Sequence, residues 1–260
     1  KPKCDKKLKF NVTPVTLDDK HQHHIDTFKQ NNVEKIPTMK QKIISLKSEH
    51  KACKQIEKKL GLELNHKAKS YFANLTNAIL GLQLGQKIEE FEKADIQVKT
   101  IRLKENNLPK EDISFPTFKY QELIEIDWED SDFKSILESK FFFVFYQFEN
   151  EKLILRKVKF WNMPYYDILE AKNVWKEMVE TVSNGKIVKE VTEKGIRKSY
   201  FPKKTENKVS HVRPHAQNRD DTYVLPVEDK MTGLTKYTKH CFWLNASYVK
   251  DEIYLKKAEN

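Results

Sequence analysis

Residues 208–220 read KVSHVRPHAQNRD and bring Arg213, His215, Gln217, Asn218 and Arg219 into one short segment. Arg, Asn and Gln carry planar ends with paired hydrogen-bonding groups, the geometry that reads base edges in a major groove. Just upstream, residues 194–208 hold six basic side chains, Lys194, Arg197, Lys198, Lys203, Lys204 and Lys208, against one acid, Glu206. A base-reading loop beside a phosphate-attracting arm is one reading of this pattern. A solvated loop after an ordinary strand is the other. Val209 and Val212 flank polar Ser210 as a short strand would, and Arg213-Pro214 is expected to end its pairing, because proline lacks the N–H and fixes its own φ.

The elements that must carry these residues follow from composition and spacing. The chain has 260 residues, 38% hydrophobic and 33% charged, with a net charge of +10. That length supports a core in one large domain or two small ones. Fifteen Phe, ten Tyr and four Trp argue against disorder. The positive excess favours a polyanionic partner, of which nucleic acid is the commonest. Cys4, Cys53 and Cys241 are far apart and odd in number, which fits a reducing cytoplasm better than a disulfide framework or a zinc site. His21, His23 and His24 lack cysteine or carboxylate neighbours at ligand spacing except Asp18, Asp19 and Asp26, so no metal is assigned there. No apolar run reaches membrane-spanning length, and no signal peptide is visible. None of the six glycines lies in a Gly-x-x-x-x-Gly-Lys pattern, and no Ser/His/Asp or Cys/His arrangement competes.

Residues 1–36 read as a basic, polar arm or linker, and residues 37–260 as the folded domain. Helical spacing predicts a helix over 38–60 and a second one capped by Asn65 and closed near Gly81. Residues 96–103 read as a strand, and Phe115-Pro116 as a break before a short helix over 118–126. The run FFFVFYQF at 141–148 is too apolar for one exposed face, and it pairs with residues 152–161 across Glu149-Asn150 as a central hairpin. A third helix spans 165–182, and a strand at 241–244 leads into a final helix over 246–255. The order gives a mixed α/β fold, a sheet flanked by helices.

Several segments resemble the MutH-type endonuclease family in the same order. VRPHAQN is similar to the family's strand-to-loop Arg-Pro-Lys-Ala-Ala-Asn segment. EEFEKADIQVKT (Glu89–Thr100), FKYQELIEIDWEDS (Phe118–Ser131), FWNMP (Phe160–Pro164) and CFWLNASYVKDEI (Cys241–Ile253) are similar to the second domain of its GATC-specific type II restriction-enzyme branch, in which two MutH-like domains share one chain. The similarity runs from about Asn65 to the end. It implies a restriction-endonuclease-like core with a mixed β-sheet, double-stranded DNA as partner and, because the chain starts at Lys1 without Met, an N-terminal catalytic half of the same chain as a second partner. It implies a bacterial cytoplasmic setting and no membrane.

Nucleases of this fold hold Mg²⁺ with an Asp followed by Glu-x-Lys on the next strand, where residues two apart share a face. The matching positions here are Glu90, Gln97 and Lys99, and a further family glutamate falls at Asn77 or Thr76. Gln97 offers a neutral amide oxygen where the family has a carboxylate, and the second domain of the two-domain branch likewise lacks the motif and binds a copy of the recognition site as an effector. The resemblance therefore implies a non-catalytic, GATC-type recognition domain, with no cofactor of its own and Mg²⁺ confined to the catalytic half. It implies Arg213, His215, Gln217, Asn218 and Trp243 as base-reading residues, and Lys99, Arg197, Lys198, Lys203, Lys204 and Arg219 as phosphate contacts. Ile96 and Val98 are expected in the core, with Gln97 and Lys99 on the opposite face. Two alternatives stand beside this: an active Mg²⁺-dependent endonuclease using Glu90, Asp95 and Lys99, and a sequence-blind nucleic-acid binder.

Overall fold

A computed structural model describes residues 52–82, 89–150 and 152–256. The chain divides into two units, Lys1–Gln41 and Lys42–Asn260. The arm over 1–36, its three histidines, Cys4 and most of the helix expected over 38–60 lie outside the described residues. What is described of that helix is α1 (Cys53–Leu60), ended by Gly61 in the left-handed conformation. Helix α2 runs Tyr71–Ile79. Asn65 does not cap it. The Asn65 side chain instead accepts the Lys67 N–H at 3.0 Å, which closes a separate turn ahead of the helix.

Helix α3 (Glu89–Lys93) leads into β1 (Ile96–Leu103). β1 runs parallel to β3 (Lys140–Glu149), which forms a hairpin with β4 (Lys152–Trp161) around Asn150 at φ 47°. β3 is therefore the middle strand of a three-stranded sheet. Phe141 through Tyr146 are each 2% exposed or less. A strand covered on both faces needs a continuous apolar run, not an alternating one. On one face Phe141, Phe143 and Phe145 join Ile101 and Leu103 in the main core. On the other, Phe142 meets Phe91 and Phe160 at ring-centroid distances of 5.6 and 4.6 Å, and the Tyr146 hydroxyl bonds Thr76 Oγ1 at 2.8 Å.

A second three-stranded sheet has the order β2-β10-β7, with β2 (Ile113–Thr117), β7 (Ser210–Pro214) and β10 (His240–Leu244). All its pairings are antiparallel. Pro116 does not break the chain as expected but lies inside β2, and pairing does not stop at Arg213 but continues through Pro214, opposite His240. Both prolines sit on outer strands, where the missing N–H costs no ladder bond. Between the strands come α4 (Tyr120–Glu125), α5 (Asp132–Glu138) and the long α6 (Tyr165–Ser183). Two small hairpins escaped the sequence reading: β5 (Val188–Val191) with β6 (Arg197–Ser199), and β8 (Thr222–Val224) with β9 (Lys236–Thr238). The last expected helix is a short α7 (Ala246–Tyr248) continued as a π-helix, Val249–Leu255. Its end is tied to β4 by Lys159, whose ammonium donates to the Ile253 and Lys256 carbonyls at 3.0 and 2.9 Å.

α6 stops where Gly185, at φ 60°, turns the chain back. A side chain there would place Cβ 2.5 Å from the Glu228 carbonyl oxygen. The join is completed by Asp229, 1% exposed, whose carboxylate accepts the N–H groups of Ile187, Val188 and Thr232 at 2.9 Å each. Burial raises the Asp229 pKa, but the hydroxyl of Thr232 and these amides outweigh it and hold the group below the ordinary carboxylate range. Asp229→Ala strands the three donors, and its unfolding free energy should fall by about 3 kcal/mol, since each buried unpaired group costs roughly 1–3. Urea melts at pH 7 measure this. A loss under about 1 kcal/mol would mean water reaches the donors.

Candidate nucleic-acid interface

Ser210, His211 and Val212 of β7 are buried, whereas Arg213 and Pro214 emerge into solvent at the strand's end. The Arg213 side chain is not loose there. Its Cζ lies 4.0 Å from the centre of the Trp243 ring, and its Nη1 is 3.3 Å from Asp112 Oδ2. Trp243, on the neighbouring strand β10, is 8% exposed and donates from Nε1 to the Arg213 carbonyl at 3.3 Å. The His215 ring meets the same indole edge-on at 5.3 Å, and the His215 N–H carries the contact past Pro214 by bonding the Lys239 carbonyl at 2.9 Å. Arg213, His215 and Trp243 are thus brought together, with Trp243 as the floor and Arg213 as the exposed layer.

Asp112 was not among the residues singled out from the sequence. Its side chain is 6% exposed. Oδ1 accepts the Ala246 N–H at 2.7 Å and pairs with the Lys204 ammonium, while Oδ2 faces Arg213 and lies 3.9 Å from His211 Nε2. Burial pushes this carboxyl up, but the Lys204 ammonium, the Ala246 amide and the nearby His211 prevail and lower it below its usual range. His211 is 2.5 Å from Asn245 Oδ1 through Nδ1, so that nitrogen carries the proton. Burial pulls the imidazole down, against the upward pull of Asn245 and Asp112. Asn245 in turn donates to the Asn207 carbonyl at 2.8 Å, and Asn207 Oδ1 accepts the Val209 and Ser210 N–H groups at 2.8 and 3.0 Å. These links fix where β7 begins.

The basic residues divide among several surroundings and do not form one strip. Lys204 is spent on Asp112, and Lys198 bonds both Glu190 oxygens at 3.1 Å. Lys208 lies 3.7 Å from Asp167. Lys203 is exposed, and its backbone N–H donates to Glu206 at 2.6 Å. Arg197 lies over the Tyr237 ring at 5.1 Å, in an open cleft that also takes in Lys194, Arg219, Pro214 and His240. Among the described residues no acidic side chain lines this cleft. The fold therefore brings Arg219 to Arg197 across 22 residues of chain. Within the loop, Asn218 Oδ1 accepts the N–H groups of Asp220 and Asp221 at 2.9 and 3.0 Å, and Asp221 accepts the Gln217 N–H at 3.0 Å. Asn218 thus shapes the loop, while the Gln217 side chain is exposed.

On β1, Gln97 and Lys99 pair with Phe141 and Phe143 of the parallel strand β3, so both project from the main-core face. Ile96 is buried on the opposite face, and both faces of the sheet are covered, unlike the one-sided arrangement expected. The Lys99 ammonium lies 6.0 Å from the Phe115 ring in a cleft between β1 and β2 that reaches Asp112. Burial lowers its pKa. Glu90 falls in α3, and Asp95 occupies the exposed turn before β1 at φ 46°. Thr76, one of the two positions matching the family's additional glutamate, is spent on Tyr146 in the core. Among the described residues no three His, Cys, Asp or Glu side chains cluster as metal ligands do. Mg²⁺ demands hard, mostly anionic oxygen donors, and an amide at Gln97 does not supply them. The residues placed here do not fit the metal.

A family model described as DNA mismatch repair enzyme MutH matches residues 80–173. The type II restriction enzyme Sau3AI of Staphylococcus aureus is 31% identical over 217 residues, which is 73% of this chain and 44% of that protein. The chain thus spans less than half the length of this curated relative. Among the described residues no helix is long and apolar enough to cross a membrane.

His240, at the back of the basic cleft, is 4% exposed among Phe201, Tyr237 and Tyr120. Its Nδ1 is 2.6 Å from the Thr238 carbonyl, and burial brings its pKa down to about 4. Above the unfolded value of about 6.5 both states are neutral and nothing is lost. As pH falls below it, the unfolded chain takes up a proton that the folded chain refuses until about pH 4. Stability should therefore drop by on the order of 3 kcal/mol across that window from this group. Urea melts of wild type and His240→Asn at pH 7 and pH 4.5 test this. The variant should be weaker at pH 7 but flatter with pH, and parallel curves would remove His240 from the acid response.

Proposed function

We propose a function from one premise: the chain belongs to the MutH family of DNA endonucleases and carries its restriction-endonuclease-like fold. On that premise this chain is a sequence-specific double-stranded DNA recognition domain for a GATC-type site, and it is not itself the cutting centre. In the intact enzyme, Mg²⁺-dependent cleavage belongs to a separate N-terminal copy of the fold. This copy binds a second site and favours the cutting conformation. The observation that carries the reading is Arg213, an exposed guanidinium held in place by Asp112 and Trp243 at the end of an edge strand. Such a group presents a rigid fork to guanine O6 and N7. His215 and Gln217 extend the same loop toward neighbouring base edges. Trp243 contributes chiefly as the surface on which Arg213 lies.

Phosphates are met on either side. Lys194, Arg197 and Arg219 share the cleft that no acid lines among the described residues, and Lys203 is exposed as well. Lys99 serves as a plain phosphate contact from its recess, because Gln97 supplies no carboxylate beside it. Lys198 and Lys204 contribute less than their charge alone suggests, since each already holds an acid.

Competition binding with GATC and GTAC duplexes tests the base-reading role. Arg213→Ala should lower the preference for GATC by about 10- to 100-fold, the worth of one bidentate contact, while changing affinity for the scrambled site far less. An unchanged ratio would sink the base-reading role and favour a sequence-blind binder. Incubation of the wild-type chain with supercoiled plasmid and Mg²⁺ should leave the plasmid intact, and nicking would move catalysis into this chain. In the same format, Arg197→Ala combined with Arg219→Ala should weaken binding to every duplex alike and reduce the slope of log K against log salt by about two. A slope equal to wild type would leave the cleft out of the interface.

A further inference from the structure

We propose that Asp112 is the positioning residue that makes Arg213 selective, by fixing the guanidinium on the Trp243 face before DNA arrives; this deepens, and rests on, the base-reading role given to Arg213. The two oxygens of Asp112 have separate tasks. Oδ1 is satisfied by the Ala246 N–H and the Lys204 ammonium. Oδ2 has two neighbours, His211 and Arg213. His211 Nδ1 is engaged with Asn245 Oδ1 at 2.5 Å, and its Nε2 lies 3.9 Å from Oδ2, beyond hydrogen-bond distance. Arg213 Nη1, at 3.3 Å, is the donor that Oδ2 has among the described residues.

The Arg213 end of this arrangement is equally constrained. One guanidinium face is covered by the indole at 4.0 Å, and Nη1 is drawn to the carboxylate. Nε and Nη2 have no partner among the described residues, and the side chain is 48% exposed. A fork held on one face and at one corner offers its free edge in a single orientation. Binding then spends little on ordering the side chain, and acceptors in other positions are out of reach. Without Asp112 the guanidinium could still lie on Trp243, but it could swivel and follow acceptors of non-cognate sites. Asp112 also sets a negative charge beneath the interface, which opposes phosphate binding at any sequence.

The two effects give a signature that loss of fold does not. Asp112→Asn keeps the size of the side chain and an acceptor for Ala246. In competition binding it should lower the GATC-to-GTAC preference by about tenfold, a part of the full Arg213 contact, while affinity for the GTAC duplex stays level or rises. A merely structural role would weaken both duplexes together and leave the ratio where it was, and that result overturns the proposal. The effect must also act through Arg213, so the Asp112→Asn, Arg213→Ala double variant should match Arg213→Ala alone; a further drop overturns it. An unchanged ratio in Arg213→Ala itself would overturn the base-reading role and this proposal together. A changed ratio there with an unchanged one in Asp112→Asn would overturn this proposal alone. Should Asp112→Asn fail to fold, NMR of the free wild-type chain decides. The Arg213 guanidinium, assigned by its disappearance in Arg213→Lys, should show separate Nη signals from hindered rotation, and a single averaged signal would overturn the proposal.

Discussion

Burial of β3 on both faces is the constraint from which the layering of this domain follows. Six consecutive side chains, Phe141 to Tyr146, leave no face for water, so each side of the sheet has to be covered. One side takes α2 and α3 through contacts such as Tyr146 with Thr76 and Phe142 with Phe91. The other takes the second sheet and α6, and there Phe133 stacks on Phe242 at 4.1 Å. β10 thereby becomes a buried middle strand, and its partner β7 is left as an edge. An edge strand can carry a proline and release its end into solvent, and this is how Arg213 reaches the surface from a rigid base.

Charge is placed with the same economy. An excess of +10 over 260 residues suggests one continuous basic surface. The folded chain instead neutralises selected cations and leaves others open. Lys204, Lys198 and Lys239 each hold a carboxylate close at hand, the last at 2.5 Å from Asp221. Lys194, Arg197 and Arg219 line a cleft with no acid among the described residues. The field available to a polyanion is set by this second group, since a paired surface cation contributes little at a distance. Asp112 stands where the two patterns meet. It gathers Lys204 and Arg213 from segments 92 and 101 residues away and the Ala246 amide from 134 residues away.

Those separations explain why some of the molecule was legible in the sequence and some was not. The β3–β4 hairpin announces itself through a continuous apolar run and a polar turn, and α6 through its helical spacing and the glycine after it. Both signals are local. β2 was hidden because Pro116 reads as a breaker unless the strand is known to be an edge, and sheet position is a tertiary property. β5–β6 was hidden because strands of four and three residues, with Val188 as their buried apolar side chain, are too short to show an alternation. Arg213 was legible as a residue, but its setting was not. Trp243 beneath it comes from β10 and Asp112 beside it from the connection just before β2, a polar stretch with nothing to mark it. Asn218 shows the converse. Its type suggested base reading, yet its carbonyl oxygen is occupied by two backbone amides of its own loop, the familiar habit of asparagine in turns.

The β1 position shows strand pairing fixing side-chain direction independently of the chemistry carried. Gln97 and Lys99 still share a face, because strand pairing with Phe141 and Phe143 fixes their direction whatever their chemistry. Thr76 on α2 has been recruited into the core through Tyr146, which gives that position a packing role. Lys99 is recessed beside the Phe115 ring, and the cost of desolvating its ammonium lowers its pKa. In a working site of this design the carboxylates and the metal offset that cost. On the proposed function a DNA phosphate offsets it, bringing the negative charge that Gln97 does not. The cleft that holds Lys99 also reaches Asp112. Asp112 thus links the cleft that holds Lys99 to Arg213, whose Nη1 lies 3.3 Å from its Oδ2.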